Sequence, residues 1–313
     1  MELADCVWVE VLASRAITAN SIPVIVNCRA GGGSAQPQID DLRRAFDDAG
    51  VGIDLAPLDD RHDVRDAARE ALKAKPALLV AAGGDGTISA VADVLCGTGT
   101  ALGVVPCGTL NHFARDLGIP LERAEAARAI AAGRRIAVDA GEVNGRGFIN
   151  NVSLGLYPGM VRERERQQRR LRRSKRHAML WATLAVLNRP PLLDLRLELD
   201  GEVHDCRAPF VFVGNNDYEM EGFDIGTRAR LDGGCLDVYT TRGCSAASLV
   251  MLALHALFGR LRQADDFVES KASTLRITSR KRRLLVAVDG EVTTMNTPLE
   301  LGVRRRALEV IVP

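Results

Sequence analysis

Lysine is almost missing from this chain. Only five of its 41 basic residues are lysine and the rest are arginine, a bias of genomic base composition rather than of chemistry. The 41 bases face 40 acids, for a net charge of +1. The molecule as a whole therefore lacks the positive excess of a nucleic-acid binder. The seven cysteines are odd in number and scattered, and no two stand as C-x-x-C. Neither a disulfide scaffold nor a structural zinc site fits that spacing, so reduced thiols and a cytoplasmic setting are expected. Long apolar runs are also missing. The two longest, Ala178–Leu187 and Ala246–Phe258, fall short of the ~18–20 residues that a membrane span needs. Near the start, Glu2, Asp5 and Glu10 stand where a secretory leader needs positive charge and then unbroken apolar sequence. No internal repeat of ~20–50 residues is visible.

What is present is ordinary globular composition, 47% apolar and 26% charged, which excludes a disordered chain and a membrane channel. A length of 313 residues makes about two domains. Residues 1–21 have no clear period and read as an N-terminal extension. From Ile22 strand and helix patterns alternate: strands at Ile22–Val26, Val51–Leu55, Ala77–Ala81 and Ala101–Val105, helices at Ile39–Ala49, Val64–Ala74, Ile88–Leu95 and Glu122–Ala132. Short loops between them predict a doubly wound parallel sheet covered on both faces. From Ile136 strands dominate: Ile136–Val143, Phe148–Leu154, Leu193–Leu199, Ala208–Val213, Leu236–Thr241, Leu275–Thr278, Leu284–Val288 and Leu308–Val312. Gly, Asn and Asp turns separate many of them. A C-terminal β-rich, sandwich-like domain follows, interrupted by helical insertions at roughly 159–189 and 245–261, with a cleft between the two domains. The expected boundaries are 22–132 and 133–300, with about 301–313 free to return to the first domain.

The strongest local signal is Gly83-Gly84-Asp85-Gly86-Thr87, between a buried strand and a helix expected to start after Thr87. Glycines admit a bulky anion close to the backbone, and a helix start offers it free N–H groups. Asp85 could hold a divalent cation there. The plainer reading is a tight turn with Asp85 as a cap, and it weakens because a second such loop follows one β-α unit later. That loop, Pro106–Arg115, contains Gly108, Thr109 and Asn111. A third, starting at Asn27, lies at the same sheet edge, so all three converge on one crevice. The chain has no G-x-x-x-x-G-K-[ST] and no well-formed G-x-G-x-x-G with an acid ~20 residues on, which argues against a P-loop NTPase and a dinucleotide oxidoreductase. Asp289-Gly290-Glu291 reads by itself as a hairpin turn.

These residues together match a family. Gly83-Gly84-Asp85-Gly86-Thr87, the Pro106-x-Gly-Thr-x-Asn-x-Phe-Ala-Arg stretch, Leu117-Gly118-Ile119-Pro120 and Asp289-Gly290-Glu291 resemble the diacylglycerol kinase catalytic-domain family, which includes bacterial soluble lipid kinases and sphingosine kinases. Cys28 stands where the family's opening loop usually has proline. The resemblance covers about residues 22–313. It implies an ATP-binding first domain, a lipid-substrate second domain and a Mg²⁺-dependent kinase acting on a hydroxyl of diacylglycerol, a sphingoid base or another lipid alcohol. In that reading Asn27, Gly83, Gly84, Gly86, Thr87, Gly108, Thr109 and Asn111 bind the nucleotide. Asp85 faces the metal or the reacting hydroxyl. Asp289 is the candidate general base, with Glu291 as its partner or a metal contact. Related sequences place Asp-Gly-x-Leu-Asp beside a structural Mg²⁺ site. Here Gly233 takes the first acidic position and Asp232 lies one residue early, so Asp232 is a doubtful ligand and Asp237 reads as a surface residue.

Arg162–Arg176 holds nine basic residues and two acids, and Met179-Leu180-Trp181 follows. This is either a solvated helix face or a contact with anionic membrane lipid, peripheral at the inner membrane face. The rivals to a lipid kinase are an NAD kinase-like phosphotransferase and a catalytically silent lipid-binding relative. Asn216-Asp217 lies in a Val-Gly-Asn-Asn-Asp-Tyr context that suits the lipid kinases better than the NAD kinases, and intact Asp85, Asp289 and Glu291 count against a silent relative. A homodimer is left open.

Overall fold

The computed structural model describes residues 21–27, 35–58, 63–171, 192–218, 228, 230–242, 245, 247–249, 251, 255 and 266–313. The expected N-terminal extension, apart from Ser21, lies outside them. So do residues 28–34 of the first loop, Arg172–Trp181 and most of the second helical insertion.

The first half alternates as its pattern predicts: β1 (Ile22–Asn27), α1 (Ala35–Asp48), β2 (Ile53–Leu58), α2 (Val64–Leu72), β3 (Leu78–Gly83), α3 (Asp85–Leu95), β4 (Ala101–Pro106), a short α4 (His112–Asp116) and α5 (Arg123–Ala132). Strands β2, β1, β3 and β4 pair in parallel in that order. β3 and β4 are apolar throughout and almost wholly buried, as parallel strands covered on both faces must be. Ile39, Leu42 and Phe46 of α1 point inward at helical spacing, and Ile88, Val91 and Leu95 of α3 fill the core beneath β3 and β4.

The second half comprises β5 (Arg135–Val143), β6 (Arg146–Phe148), β7 (Asn151–Gly155), α6 (Leu156–Leu171), β8 (Leu193–Leu199), β9 (Glu202–Ala208), β10 (Phe210–Asn215), β11 (Leu236–Thr241), β12 (Phe267–Ala272), β13 (Thr274–Ser279), β14 (Arg283–Val288), β15 (Glu291–Asn296) and β16 (Leu299–Ile311). A six-stranded antiparallel sheet runs β12-β11-β10-β7-β14-β15. The first sheet continues past β4 through β16, β13, β8 and β9, with β5 paired to β16 and β6 to β5. Phe148, Leu154, Val213, Leu236, Ile277 and Val286 belong to the core enclosed between these strands. β16 ties the halves together, parallel to β4 at Val310↔Leu102 and antiparallel to β5 and β13.

Three differences from expectation have physical causes. β9, β12 and β15 do not show in the sequence pattern, and all three are sheet edges. Edge strands carry polar residues that blunt their open side, which erases the apolar alternation. The expected strand Phe148–Leu154 is two, β6 and β7, parted by a turn. β16 starts nine residues before Leu308, through a stretch whose register shifts between Arg304 and Leu308.

The halves are also clasped by a buried ion pair. The Arg228 side chain is fully buried and that of Asp116, at the end of α4, is 4% exposed, with N–O distances of 2.7 and 2.8 Å. The same guanidinium donates to Asn150 Oδ1 at 2.9 Å and to the carbonyls of Ile149 and Asn215. Asp116→Ala would leave a buried cation without its counter-charge, and we expect a loss of about 3–5 kcal/mol in urea unfolding. A loss below ~1 kcal/mol, the scale of an exposed pair, would contradict the clasp.

Candidate active site

The carboxyl ends of β1, β3 and β4 are neighbours in the sheet, so the three loops that leave them form one rim. They are stitched together. Asn27 Nδ2 donates to Thr87 Oγ1 at 3.0 Å, and Cys107 N donates to the carbonyl of Gly83 at 2.8 Å. The glycines answer to close approach. A Cβ on Gly83 would lie 2.6 Å from Thr87 Cβ, and one on Gly108 would lie 2.8 Å from the Cα of Gly84. The two glycine loops thus touch backbone to backbone. Helix α3 begins at Asp85, not after Thr87, and Gly84 caps it without any side-chain acceptor. The start of α3, with its positive dipole end, therefore opens onto the rim.

The structure sorts the expected nucleotide residues into two groups. Gly84, Asp85 and Gly108 are partly exposed and Gly86 and Thr109 are exposed, all on the rim, whereas Gly83, Thr87 and Asn111 are buried behind it. Asn111 is a staple. Its side chain accepts from Gly108 N and donates to Gly108 O, both at 2.9 Å, and a left-handed backbone (φ 52°) turns its own N–H toward Asp85 Oδ2 at 2.9 Å. Asp85 Oδ1 is buried and has no hydrogen-bond partner among the described residues. A buried carboxyl oxygen left without a partner is costly unless something else meets it. Beside the second loop a groove of about 460 Å³ is lined by Cys107, Gly108, Thr109, Arg115 and Arg123.

Asp289 lies at a two-residue hairpin between β14 and β15, both Asp289 and Gly290 having positive φ. The plain turn reading is right about its backbone. Its side chain does more. One oxygen accepts from Asn150 N at 2.8 Å and Asn151 N at 2.9 Å. The other accepts from Ile149 N at 2.9 Å and from the hydroxyl of Ser89, on α3 of the first domain. Burial holds this carboxyl above the ordinary range, and the Ser89 hydroxyl and the three amides pull it only part of the way back.

Glu291 does not join Asp289. It is 58% exposed and pairs with Arg146 at 2.6 Å and Arg65 at 3.3 Å. Asp232 is in an exposed pair with Arg230 at 3.2 Å. Among the described residues no three His, Cys, Asp or Glu side chains converge on a metal-binding group. Asp237 corrects the expectation of a surface residue. It is 1% exposed and accepts from Tyr218 N at 3.0 Å and Tyr239 O–H at 2.8 Å. On its strand the sandwich core takes Leu236 and Val238, and the opposite face, which carries Asp237, is covered too. Among the described residues Cys96, Cys107 and Cys235 are in no disulfide.

Sequence reading overlooked Ser89, Asp93, Arg65, Arg146 and Arg228. Asp85, Ser89 and Asp93 recur every four residues on a mostly apolar helix, a signal that was open to view. The three arginines gave none, since only the fold brings them to the joint between domains.

A diacylglycerol kinase catalytic domain model matches residues 21–143, and a YegS C-terminal NAD kinase beta sandwich-like domain model matches residues 151–312. The chain is 26% identical over 294 residues to a diacylglycerol kinase of Bacillus subtilis, covering 93% of this chain and 95% of that one. It is 30% identical over 217 residues to a diacylglycerol kinase of Staphylococcus aureus, covering 68% of each. A solved diacylglycerol kinase structure from Bacillus anthracis has the same fold, with a TM-score of 0.73 at 23% identity over 94% of this chain and 97% of that one. With the paired glycine loops, Asp85 at the start of α3 and a sandwich behind them, the chain belongs to the lipid-kinase family defined by the diacylglycerol kinase catalytic domain.

Proposed function

We propose that this protein transfers the γ-phosphoryl group of ATP to a hydroxyl of a lipid such as diacylglycerol or a sphingoid base. The observation that carries this reading is the unpartnered, buried Oδ1 of Asp85 beside two touching glycine loops. A lone carboxylate with anion-binding backbone around it fits Mg²⁺, which takes one or two carboxylates plus substrate phosphates. Held by Asp85, the ion would offset phosphate charge. Gly84, Gly86, Gly108 and Thr109 would line the phosphates, and Asn27, Gly83, Thr87 and Asn111 hold those loops in shape. On the acceptor side Asp289, whose two oxygens already accept from four donors, would take the proton of the lipid hydroxyl in exchange for one of those bonds, as the lipid oxygen bonds to the γ-phosphorus and the bond to the ADP oxygen breaks. A carboxylate made more basic by burial is the better acceptor. Glu291, with Arg65 and Arg146, braces the hairpin that carries Asp289.

Asp85→Asn should lower kcat by about a thousandfold, the scale of a lost electrostatic contact at a reacting group, with no change in thermal unfolding. Near-normal turnover would remove Asp85 from the chemistry. Asp289→Asn should abolish transfer to lipid while calorimetry still shows ATP binding within about threefold of the parent, because a base on the acceptor side does not hold nucleotide. Loss of ATP affinity instead would move Asp289 to the nucleotide side.

The lipid substrate sits in a bilayer, and the basic run Arg162–Arg176 begins on α6, next to the hairpin of Asp289. Arg162 is exposed. No helix among the described residues is long and apolar enough to cross a membrane. We read this run as the contact with anionic lipid. Replacing Arg169, Arg170, Arg172 and Arg173 with Gln should weaken binding to anionic vesicles, which loses roughly 1 kcal/mol per basic residue removed. Parent binding should also fade as salt rises past ~0.1 M, where the Debye length is about 10 Å. Sedimentation that is weak in the parent and indifferent to both changes would mark a solvated helix face.

A further inference from the structure

Among the described residues helix α3 reaches from the nucleotide rim to the acceptor-side carboxylate. Its apolar face is sealed against the sheet by Ile88, Val91, Ala92 and Leu95. Asp85, Ser89 and Asp93 recur every four residues and so share one face, each about 6 Å along the axis from the next. Each meets a different partner. Asp85 Oδ2 takes the N–H of Asn111 at 2.9 Å. Ser89, 5% exposed, donates its hydroxyl to Asp289. Asp93 takes Gly147 N at 2.7 Å and Arg65 Nε at 3.0 Å. Only the middle residue joins the helix that carries Asp85 to the carboxylate of the second domain.

We propose that Ser89 is a positioning residue for the transfer reaction: its bond to Asp289 sets the acceptor-side carboxylate one helical turn from Asp85, in register with the phosphate rim. This rests on the lipid-kinase reading above. The other donors to Asp289, the N–H groups of Ile149, Asn150 and Asn151, all belong to the second domain. They fix the carboxylate within that domain but not against the first. Ser89 supplies that second anchor at the carboxylate itself, while Arg65 on Glu291 and Asp93 on Gly147 tie the two domains nearby. Transfer between groups held on separate domains is sensitive to displacements of ~1 Å, so loss of the anchor should act on turnover and spare nucleotide binding. A hydroxyl that merely satisfied a buried site would instead change thermal stability and leave turnover alone.

The test compares the full-length parent, Ser89→Ala and Ser89→Thr. Phosphoryl transfer is measured on short-chain lipid alcohols in detergent, and amide hydrogen exchange is followed by mass spectrometry across residues 148–152. Ser89→Ala should lower kcat by ~10–100-fold, the loss expected for a hydrogen bond to a charged group. KM for ATP should stay within about threefold, and exchange at Ile149–Asn151 should quicken. Ser89→Thr, which keeps the hydroxyl, should recover most of the turnover. A kcat within about twofold of the parent in Ser89→Ala would overturn the proposal, as would an equal loss in kcat and ATP affinity. If the parent transfers phosphate to no lipid alcohol, the lipid-kinase reading fails separately. Exchange then decides the anchor: unchanged protection at Ile149–Asn151 in Ser89→Ala overturns it.

Discussion

The Asp289 carboxylate is shared between two domains, and the rest of the site is built around that sharing. An ionised carboxyl taken out of water is costly unless its lone pairs are met. Here three backbone amides of the β6–β7 turn and one hydroxyl from α3 meet them. The hairpin tip cannot move without uncovering a charge, and neither can the turn before β7. The clasp of Arg228 on Asp116 acts beside it, because its guanidinium also bonds Ile149 and Asn150. Residues 149–151 are thereby held from both sides, by a cation and by an anion, and the acceptor-side geometry depends on them.

The nucleotide side follows a different constraint, steric rather than electrostatic. Where the β3 and β4 loops meet there is no room for a Cβ on Gly83 or Gly108. The loops pack as bare backbone, and the N–H groups at the head of α3 open onto the rim. The polar side chains in this region, Asn27, Thr87 and Asn111, spend their hydrogen bonds on the loops themselves. Shape is set from behind, and the open rim is left to main chain, Asp85 and Thr109.

How far the sequence disclosed this depends on whether apolar pattern or three-dimensional meeting decides each feature. The parallel half was legible because buried strands such as Leu78–Gly83 are unbroken apolar runs and α1 keeps Ile39, Leu42 and Phe46 in phase. The edge strands β9, β12 and β15 were not, because their exposure removes the alternation that marks a strand. Both glycine loops and the Asp-Gly hairpin were legible from residue type. The hairpin's inward carboxylate was not, since Asp-Gly reads the same whether the side chain faces water or a neighbouring domain. Asp237 shows the same limit: its burial comes from what packs over the outer face of β11. The stripe of Asp85, Ser89 and Asp93 was visible as a four-residue period, but its meaning needed a partner domain 200 residues away, at Asp289.

The most direct test of this account is a crystal structure of the protein with a non-hydrolysable ATP analogue and Mg²⁺. The account predicts phosphate density along Gly84–Gly86 and Gly108–Thr109, a cation on Asp85 Oδ1, and Asp289 still bonded to Ser89 across the joint. Nucleotide bound away from these two loops, or a cation held at Asp232 with Asp85 Oδ1 still unmet, would contradict it.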